Sequence, residues 1–292
     1  MEAQDLIVSL GQGIKLLRVP DAFLKCVGFI SHENPTLQYI GTIFLVGIAA
    51  KSGRVFLHAV TAKHVAENVD GGPFLFGVNF KDGMAGWLRS DLQWWYHPTE
   101  PNADVAVTVF APTERCDVEY IPEAAFVTDE DIQKYSIGLG DEVSIVGLFT
   151  NFYGSTKHIP IVRTGNIAMM PSDKLPSQDG PMEVYLAEGR SIGGLSGSPV
   201  YVRPTIRIGG IGDEFGNPQP IFGSGRFHFL GLMRGHWDLR LGVQVGQAEA
   251  VNMGISIVIP AKKILETLYH PELVVLRDKQ DEQLRKEMDG KP

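Results

Sequence analysis

Short apolar runs rich in β-branched and aromatic residues follow one another along most of the chain, separated by Gly, Pro, Asn and Asp. This alternation of apolar runs and turn residues predicts β-strands. Six runs lie in the first half: Phe23–Ile30, Thr42–Ala49, Val55–Thr61, Phe74–Phe80, Trp87–Tyr96 and Asp104–Phe110. Six more lie in the second half: Glu142–Phe149, Ile159–Met169, Met182–Ala187, Pro199–Val202, Phe227–Arg234 and Ile255–Ile259. The pattern predicts an all-β protein of two six-stranded antiparallel β-barrels, because closure of each sheet removes its exposed edges.

Two segments depart from the strand pattern. Residues 116–140 are rich in acidic residues and predict a connection between the halves, whereas Pro260 opens a short helical pattern over Ala261–His270. The alternating charges near the end predict a solvated helix or a frayed terminus. The predicted organisation is therefore a lead-in at 1–22, a first barrel at 23–115, a connection at 116–140, a second barrel with its C-terminal helix at 141–270, and a charged tail at 271–292.

Composition narrows the choice of partners and compartment. The formal net charge is −8 and no basic stripe is present, so a nucleic-acid partner is not expected. No window is apolar over the length that spans a bilayer, so no membrane partner is expected either. The segment Met1–Leu17 does not resemble a secretory signal, and there are only two cysteines, Cys26 and Cys116. These features favour the cytoplasm; the alternative is a secreted protein whose signal is missing from this sequence.

Three motifs carry candidate chemistry, and they occur in a fixed order. TAKHV at 61–65 ends one strand run, NADVAV at 102–107 begins another, and GGLSGSPV at 193–200 is a glycine-rich turn. They supply an imidazole on His64, a carboxylate on Asp104 and a hydroxyl on Ser196, the set that nucleophilic catalysis requires. Taken singly, each has a simpler interpretation: a core histidine, a turn aspartate and a tight turn.

Together the three motifs resemble those of trypsin-like, chymotrypsin-fold serine peptidases. TAKH is similar to their TAAH box, DVAV to their DIAL box, and GLSGSP to their GDSGGP box. SGSPV especially resembles bacterial glutamyl endopeptidases, and the chain as a whole resembles the bacterial glutamyl endopeptidase or Htr-like peptidase domains. The order His, Asp, Ser is also that of the chymotrypsin type. The resemblance covers about 23–270 and implies a catalytic triad of His64, Asp104 and Ser196.

The chemistry assigns a role to each residue of that triad. His64 is expected to take the proton of Ser196 and pass it to the leaving amine, with Asp104 holding the imidazole. The backbone N–H groups of Gly194 and Ser196 are expected to form the oxyanion hole. Ser191 and Ser198 are rival nucleophiles, but only Ser196 has glycine on both sides.

Substrate recognition is predicted from three basic residues. The resemblance places Arg190 at the floor of the pocket for the side chain before the cut, with Arg234 and His236 as possible walls. Positive charge there predicts a preference for Glu or Asp, because a buried cation needs a carboxylate partner. The alternative is that Arg190 pairs with a nearby glutamate at the surface. The histidines and cysteines show no metal-ligand spacing, and no cofactor is expected.

The predicted function is that of a serine endopeptidase acting on protein or peptide substrates through an acyl-enzyme intermediate. Two alternatives stay open: an inactive binding scaffold on the same fold, and an esterase, which shares the mechanism. In activated digestive relatives an Asp immediately before the nucleophile pairs with a new amino terminus. Here that position is Leu195, so no such switch is expected. Any regulation would come from an unidentified partner or from the Arg203–Gly225 loop.

Overall fold

The computed structural model describes residues 18–33, 38–152, 154–177, 180–189, 194–205, 226–240 and 250–289. For residues 236–240, 250–253 and 288–289 it describes the backbone alone. The predicted side-chain roles of Arg190 and His236 lie outside this description, as do Ser191, the lead-in up to residue 17 and most of the Arg203–Gly225 loop.

The first half forms one twisted antiparallel sheet with a parallel strand added at one side. The strands are β1 Val27–His32, β2 Tyr39–Ala49, β3 Val55–Thr61, β4 Phe74–Asn79, β5 Ala85–Ser90, β6 Trp95–Tyr96, β7 Ala106–Val109 and β8 Ile121–Pro122. Neighbouring strands in the sheet follow the order β5-β4-β1-β2-β3-β7-β6, and β8 pairs in parallel with β2.

The sequence predicts a closed six-stranded barrel for this half; the described pairings establish the sheet and do not show a ladder between its first and last strands. The predicted run Trp87–Tyr96 is broken after Ser90, and the end strand β6 contains only two residues, Trp95 and Tyr96. The run Phe23–Ile30 also divides, because its first residues belong to helix α1, Asp21–Lys25.

The second half is the closed six-stranded barrel that the pattern predicts. The barrel strands are β9 Glu142–Gly147, β10 Ile161–Met169, β13 Tyr185–Glu188, β14 Pro199–Arg203, β15 His228–Arg240 and β16 Ala250–Pro260. Around the barrel they follow the order β10-β13-β16-β15-β14-β9, and β9 pairs with β10 to complete the ring. A small hairpin, β11 Lys174–Leu175 with β12 Met182–Glu183, lies outside the ring.

Besides a 3-10 turn at Glu123–Ala125, the described ranges contain four further helices, all of them α-helices. They are α2 Lys63–Glu67, α3 Asp129–Lys134, α4 Ala261–Leu268 and α5 Pro271–Asp289. Helix α3 lies in the predicted connection and begins with a capping box between Thr128 and Asp131. Helix α4 confirms the helix predicted after Pro260. Helix α5 covers most of the predicted charged tail.

The two halves share one apolar core. The rings of Phe44 in the first half and Phe229 in the second lie 5.3 Å apart, and Phe23 stacks on Tyr201 at 3.9 Å. A second, smaller cluster fills the interior of the closed barrel and includes Leu195. The shared core fixes the halves against each other, so loops from both can contribute to one site. No helix in the described ranges is long and apolar enough to cross a membrane.

Candidate active site

His64 and Asp104 meet because their strands are neighbours. Strand β3 pairs antiparallel with β7, and Thr61 lies opposite Ala106. The residues just after Thr61 and those just before Ala106 therefore emerge side by side at one end of the sheet. His64 lies there in the first turn of α2, and Asp104 in the loop that leads into β7.

Two hydrogen bonds connect these residues. His64 Nδ1 lies 2.8 Å from Asp104 Oδ2, and the His64 backbone N–H donates to Asp104 Oδ1 at 3.0 Å. A carboxylate can only accept, so the Nδ1 atom carries the proton and the lone pair of a neutral ring lies on Nε2. The Asp104 side chain is 8% exposed and that of His64 is 47% exposed. Asp104 is thus buried and held in place by His64, whereas the imidazole of His64 is accessible to solvent.

Asp104 is an anion at neutral pH in spite of its burial. Burial by itself raises the pKa of the carboxyl group, because it disfavours the charged form. The hydrogen bonds from His64, its charge and the charge of Arg234 act in the opposite direction and hold the pKa below its usual value. The imidazole therefore faces a permanent negative charge.

Arg234 is a partner of Asp104 that the sequence did not indicate. It lies on β15 in the second half, and its Nε atom is 3.1 Å from Asp104 Oδ2. The resemblance suggested a pocket wall at this position, but the contact with Asp104 arises only because the two halves pack together. No local sequence pattern around Arg234 or Asp104 predicts this contact.

The turn with Ser196 is held between the halves. The Thr42 N–H of β2 donates to the Ser196 carbonyl at 3.0 Å, and the Gly197 N–H donates to the Met233 carbonyl at 2.9 Å. Met233 is also the residue before Arg234, so one stretch of β15 touches both the serine turn and Asp104. Ser196 itself is half-buried.

Gly41 lies close to both the serine turn and α2, the helix that carries His64. A methyl group on Gly41 would lie 2.9 Å from Val65 Cγ1 and 3.1 Å from the Ser196 carbonyl oxygen. Val65 directly follows His64 in α2. The three sequence motifs are therefore neighbours in space.

Glycine is required at two positions in the serine turn. Gly194 has φ +94° and Gly197 has φ +86°, in the left-handed region that other residues rarely adopt. A Cβ atom on Gly197 would also overlap the Thr42 carbonyl oxygen. The Thr42 hydroxyl donates to the Gly194 carbonyl at 2.8 Å and accepts from the Leu148 N–H at 2.9 Å. The side chain of Thr42 therefore helps to set the backbone orientation of the predicted oxyanion loop.

Burial separates Ser196 from one of its rivals. Ser198 is completely buried, and its Oγ atom has no hydrogen-bond partner among the described residues. A hydroxyl in that position cannot meet a substrate without a change in the fold. Ser191, the other rival, lies outside the described residues.

An open cleft adjoins the pair. It has a volume of about 400 Å³ and is lined by residues of α2, of the loop before β7 and of β15. The lining residues are Lys63, His64, Glu67, Pro101, Asn102, Asp104 and Arg234. The cleft gives a substrate access to the imidazole.

A second titratable cluster lies on the side of α4. His97, Glu100 and Glu266 present potential ligand atoms within 4.8 Å of one another, a grouping the sequence did not reveal. Lys263 Nζ, however, lies 2.5 Å from Glu100 Oε1 and 3.4 Å from Glu266 Oε2, and His97 Nε2 lies 2.6 Å from Glu266 Oε2. The ammonium group already pairs with both carboxylates, so the cluster is assigned to packing between α4 and the first half.

Comparison with known proteins rests on structure. No family model matches the chain, and no curated protein matches it in sequence. Among solved structures it is similar to the apo form of the MamO protease domain from Magnetospirillum magneticum. That likeness covers 84% of this chain and 96% of the other, with 13% identity and a TM-score of 0.50. The inactive form of the Rv3671c protease of M. tuberculosis has 14% identity and a TM-score of 0.48, covering 85% of this chain and 90% of the other.

The fold agrees with the resemblance seen in the sequence motifs. MamO is named as a protease domain, and its likeness to this chain covers 84% of the chain. The chain therefore has the fold of a trypsin-like serine protease domain.

Proposed function

We propose that the chain is a serine endopeptidase with His64, Asp104 and Ser196 as its catalytic triad. The observation that carries the proposal is the His64–Asp104 pair, with Nδ1 bound to a buried carboxylate and Nε2 left to accept a proton. Two further contacts support the proposal: backbone hydrogen bonds join the serine turn to β2 and β15, and Gly41 lies close to both the Ser196 carbonyl and Val65, the residue after His64. A hydroxyl becomes a useful nucleophile only when such a base is adjacent.

The reaction follows from these groups. Ser196 Oγ attacks the peptide carbonyl carbon as His64 Nε2 takes the hydroxyl proton, forming a tetrahedral oxyanion. His64 then donates the proton to the leaving amine, the C–N bond breaks, and an acyl-enzyme remains. Water repeats the sequence: His64 takes its proton, the acyl–oxygen bond of the ester breaks, and Ser196 recovers its hydrogen.

Asp104 supports both steps without giving up its charge. It keeps the imidazole in the tautomer with Nδ1–H and stabilises the imidazolium formed after each proton transfer. The N–H groups of Gly194 and Ser196 are proposed to bind the oxyanion, and removal of one such donor costs about 2.7–4 kcal/mol in the transition state. The positive φ of Gly194 is compatible with this unusual backbone arrangement.

The test is covalent labelling of the full chain with a fluorophosphonate, followed by cleavage profiling on a peptide library. Ser196→Ala should lose labelling and reduce peptide hydrolysis by roughly 10⁴–10⁶-fold, and His64→Ala should do nearly the same because triad members act as a unit. Ser198→Ala is the matched control and should keep both activities, since its hydroxyl is completely buried.

Each competing function gives a different result. Labelling at Ser196 with hydrolysis of esters but no peptides would identify an esterase. A folded chain that shows neither labelling nor hydrolysis would identify an inactive scaffold. The library profile also tests the predicted preference for Glu or Asp before the cut.

A further inference from the structure

Asp104 Oδ2 is shared by two nitrogen groups from opposite halves of the molecule. His64 Nδ1 lies 2.8 Å from it and Arg234 Nε lies 3.1 Å from it. His64 Nδ1 and Arg234 Nε are therefore no more than about 6 Å apart, with the carboxylate oxygen between them. The other oxygen, Oδ1, accepts the backbone N–H of His64.

We propose that Arg234 is a positioning residue of the His64–Asp104 pair, which keeps the carboxylate ionised and the imidazole neutral to lower pH than the carboxylate alone would allow. The inference rests on the proposed function, because a base is useful only in its neutral form. It assigns Arg234 to the catalytic acid–base machinery, rather than to the substrate pocket.

Charge is the physical basis of this role. An isolated carboxylate next to an imidazole favours the imidazolium, whereas a guanidinium on the same oxygen opposes it. A unit charge about 6 Å away in a medium of effective dielectric constant about 20 changes a pKa by roughly two units. The side chains of His64 and Arg234 are 47% and 28% exposed, so solvent screening reduces the expected effect to about one unit.

Other charged groups near His64 are balanced locally. Among the described residues that line the cleft, these are Lys63 and Glu67, both on α2. Lys63 Nζ lies 2.9 Å from the Pro101 carbonyl oxygen and 3.7 Å from Glu67 Oε1. Of the two cations on the cleft, only Arg234 is within ion-pair distance of Asp104.

The test is NMR titration of His64 in the full chain carrying Ser196→Ala, so that no turnover is needed. The chain has eight histidines, and His64→Gln identifies the relevant signal. Arg234→Met should raise the titration midpoint of His64 by about one pH unit, and Arg234→Gln should do the same because it is also uncharged. Arg234→Lys should stay close to the parent.

Lys63→Met is the matched control, because it removes a cation from the same cleft that is not bound to Asp104. It should change the midpoint by much less than Arg234→Met. An unchanged or lowered midpoint in both neutral variants would overturn the proposal. Equal shifts in Arg234→Met and Arg234→Lys would overturn it too, because they would indicate a role in shape rather than in charge. If Arg234→Met fails to fold, Arg234→Gln and Arg234→Lys still separate the two outcomes.

This result does not depend on proteolysis, so the two proposals can fail separately. A chain that is not labelled at Ser196 contradicts the proposed function, whatever the titration shows. In an active chain, Arg234→Gln should also move the acid limb of the kcat/KM profile to higher pH by about the same amount.

Discussion

Leu195 lies directly before the proposed nucleophile and has no exposed surface. Its side chain belongs to the apolar cluster inside the closed barrel, with Val143, Ile145 and Val200. A charged group at this position could not be buried there without a partner. The serine turn is thus anchored on one side by an apolar side chain and on the other by backbone hydrogen bonds to Thr42 and Met233.

Leu195→Ala should therefore affect both stability and the site. Removal of a completely buried leucine lowers the free energy of unfolding by about 2–5 kcal/mol. The rate of fluorophosphonate labelling at Ser196 should also fall, because the turn loses its anchor. Urea unfolding and labelling kinetics measure the two effects, with Leu139→Ala as control because Leu139 is 68% exposed. Equal behaviour of the two variants would show that burial of Leu195 does not hold the turn.

Helix α5 connects the end of the chain to the back of the first-half sheet. Arg277 Nη1 donates to the Leu268 carbonyl at 2.7 Å and lies 3.3 Å from His58 Nε2 on β3. Asp281 accepts a hydrogen bond from the Ser52 hydroxyl. Of the two alternatives predicted for the tail, a solvated helix or a frayed terminus, the structure has a helix, but Leu273, Arg277 and Asp281 are buried and one of its faces is docked. Charge alternation alone cannot distinguish a docked helix from a free one.

His58 makes this contact sensitive to pH. Burial and the charge of Arg277 lower its pKa to about 4, from about 6.5 in an unfolded chain. The unfolded chain therefore binds more protons between these values, so the stability is fully present above pH 6.5 and is lost as the pH falls towards 4. The loss from this group is roughly 3 kcal/mol.

His58→Gln should abolish that part of the pH dependence, because the amide does not titrate and can still accept from Arg277. Chemical unfolding at pH 7, 5.5 and 4 gives the free energy of unfolding of the variant and of the parent, and the difference between them at each pH is the contribution of His58. If the two curves stay parallel over this range, His58 is not held neutral in the folded state.

The contact between the halves combines a continuous apolar core with polar contacts, among them a network around Lys263. Lys263 on α4 belongs to the second half, and its side chain is 8% exposed. It pairs with Glu100, from the first half, and with Glu266, which also binds His97. Glu100 precedes Asp104 by four residues, so its pairing with Lys263 helps to fix the loop that carries Asp104.

Lys263→Met should destabilise the molecule by about 1–3 kcal/mol, because it leaves two carboxylates without their cation in a partly buried position. Lys262→Met is the control, because Lys262 is the neighbour of Lys263 on the same helix and its side chain is exposed. Thermal and urea unfolding give the comparison. Destabilisation of the same size in both variants would mean that the network adds nothing beyond helix propensity.

The sequence alone was sufficient for what is local or strictly ordered along the chain. Strand runs follow from the alternation of apolar residues and turn residues, and the helix after Pro260 follows from its start signal. His64, Asp104 and Ser196 are proposed as a triad from the sequence because each lies in a short motif whose order and glycine content are visible without coordinates.

Tertiary structure decided what depends on contacts between the halves. The docking of α5, the Lys263 network and the contact of Arg234 with Asp104 all join residues far apart in the chain. A motif records neighbours in sequence, whereas Arg234 and Asp104 are 130 residues apart. Only the packing of one half on the other determines which charges share a carboxylate.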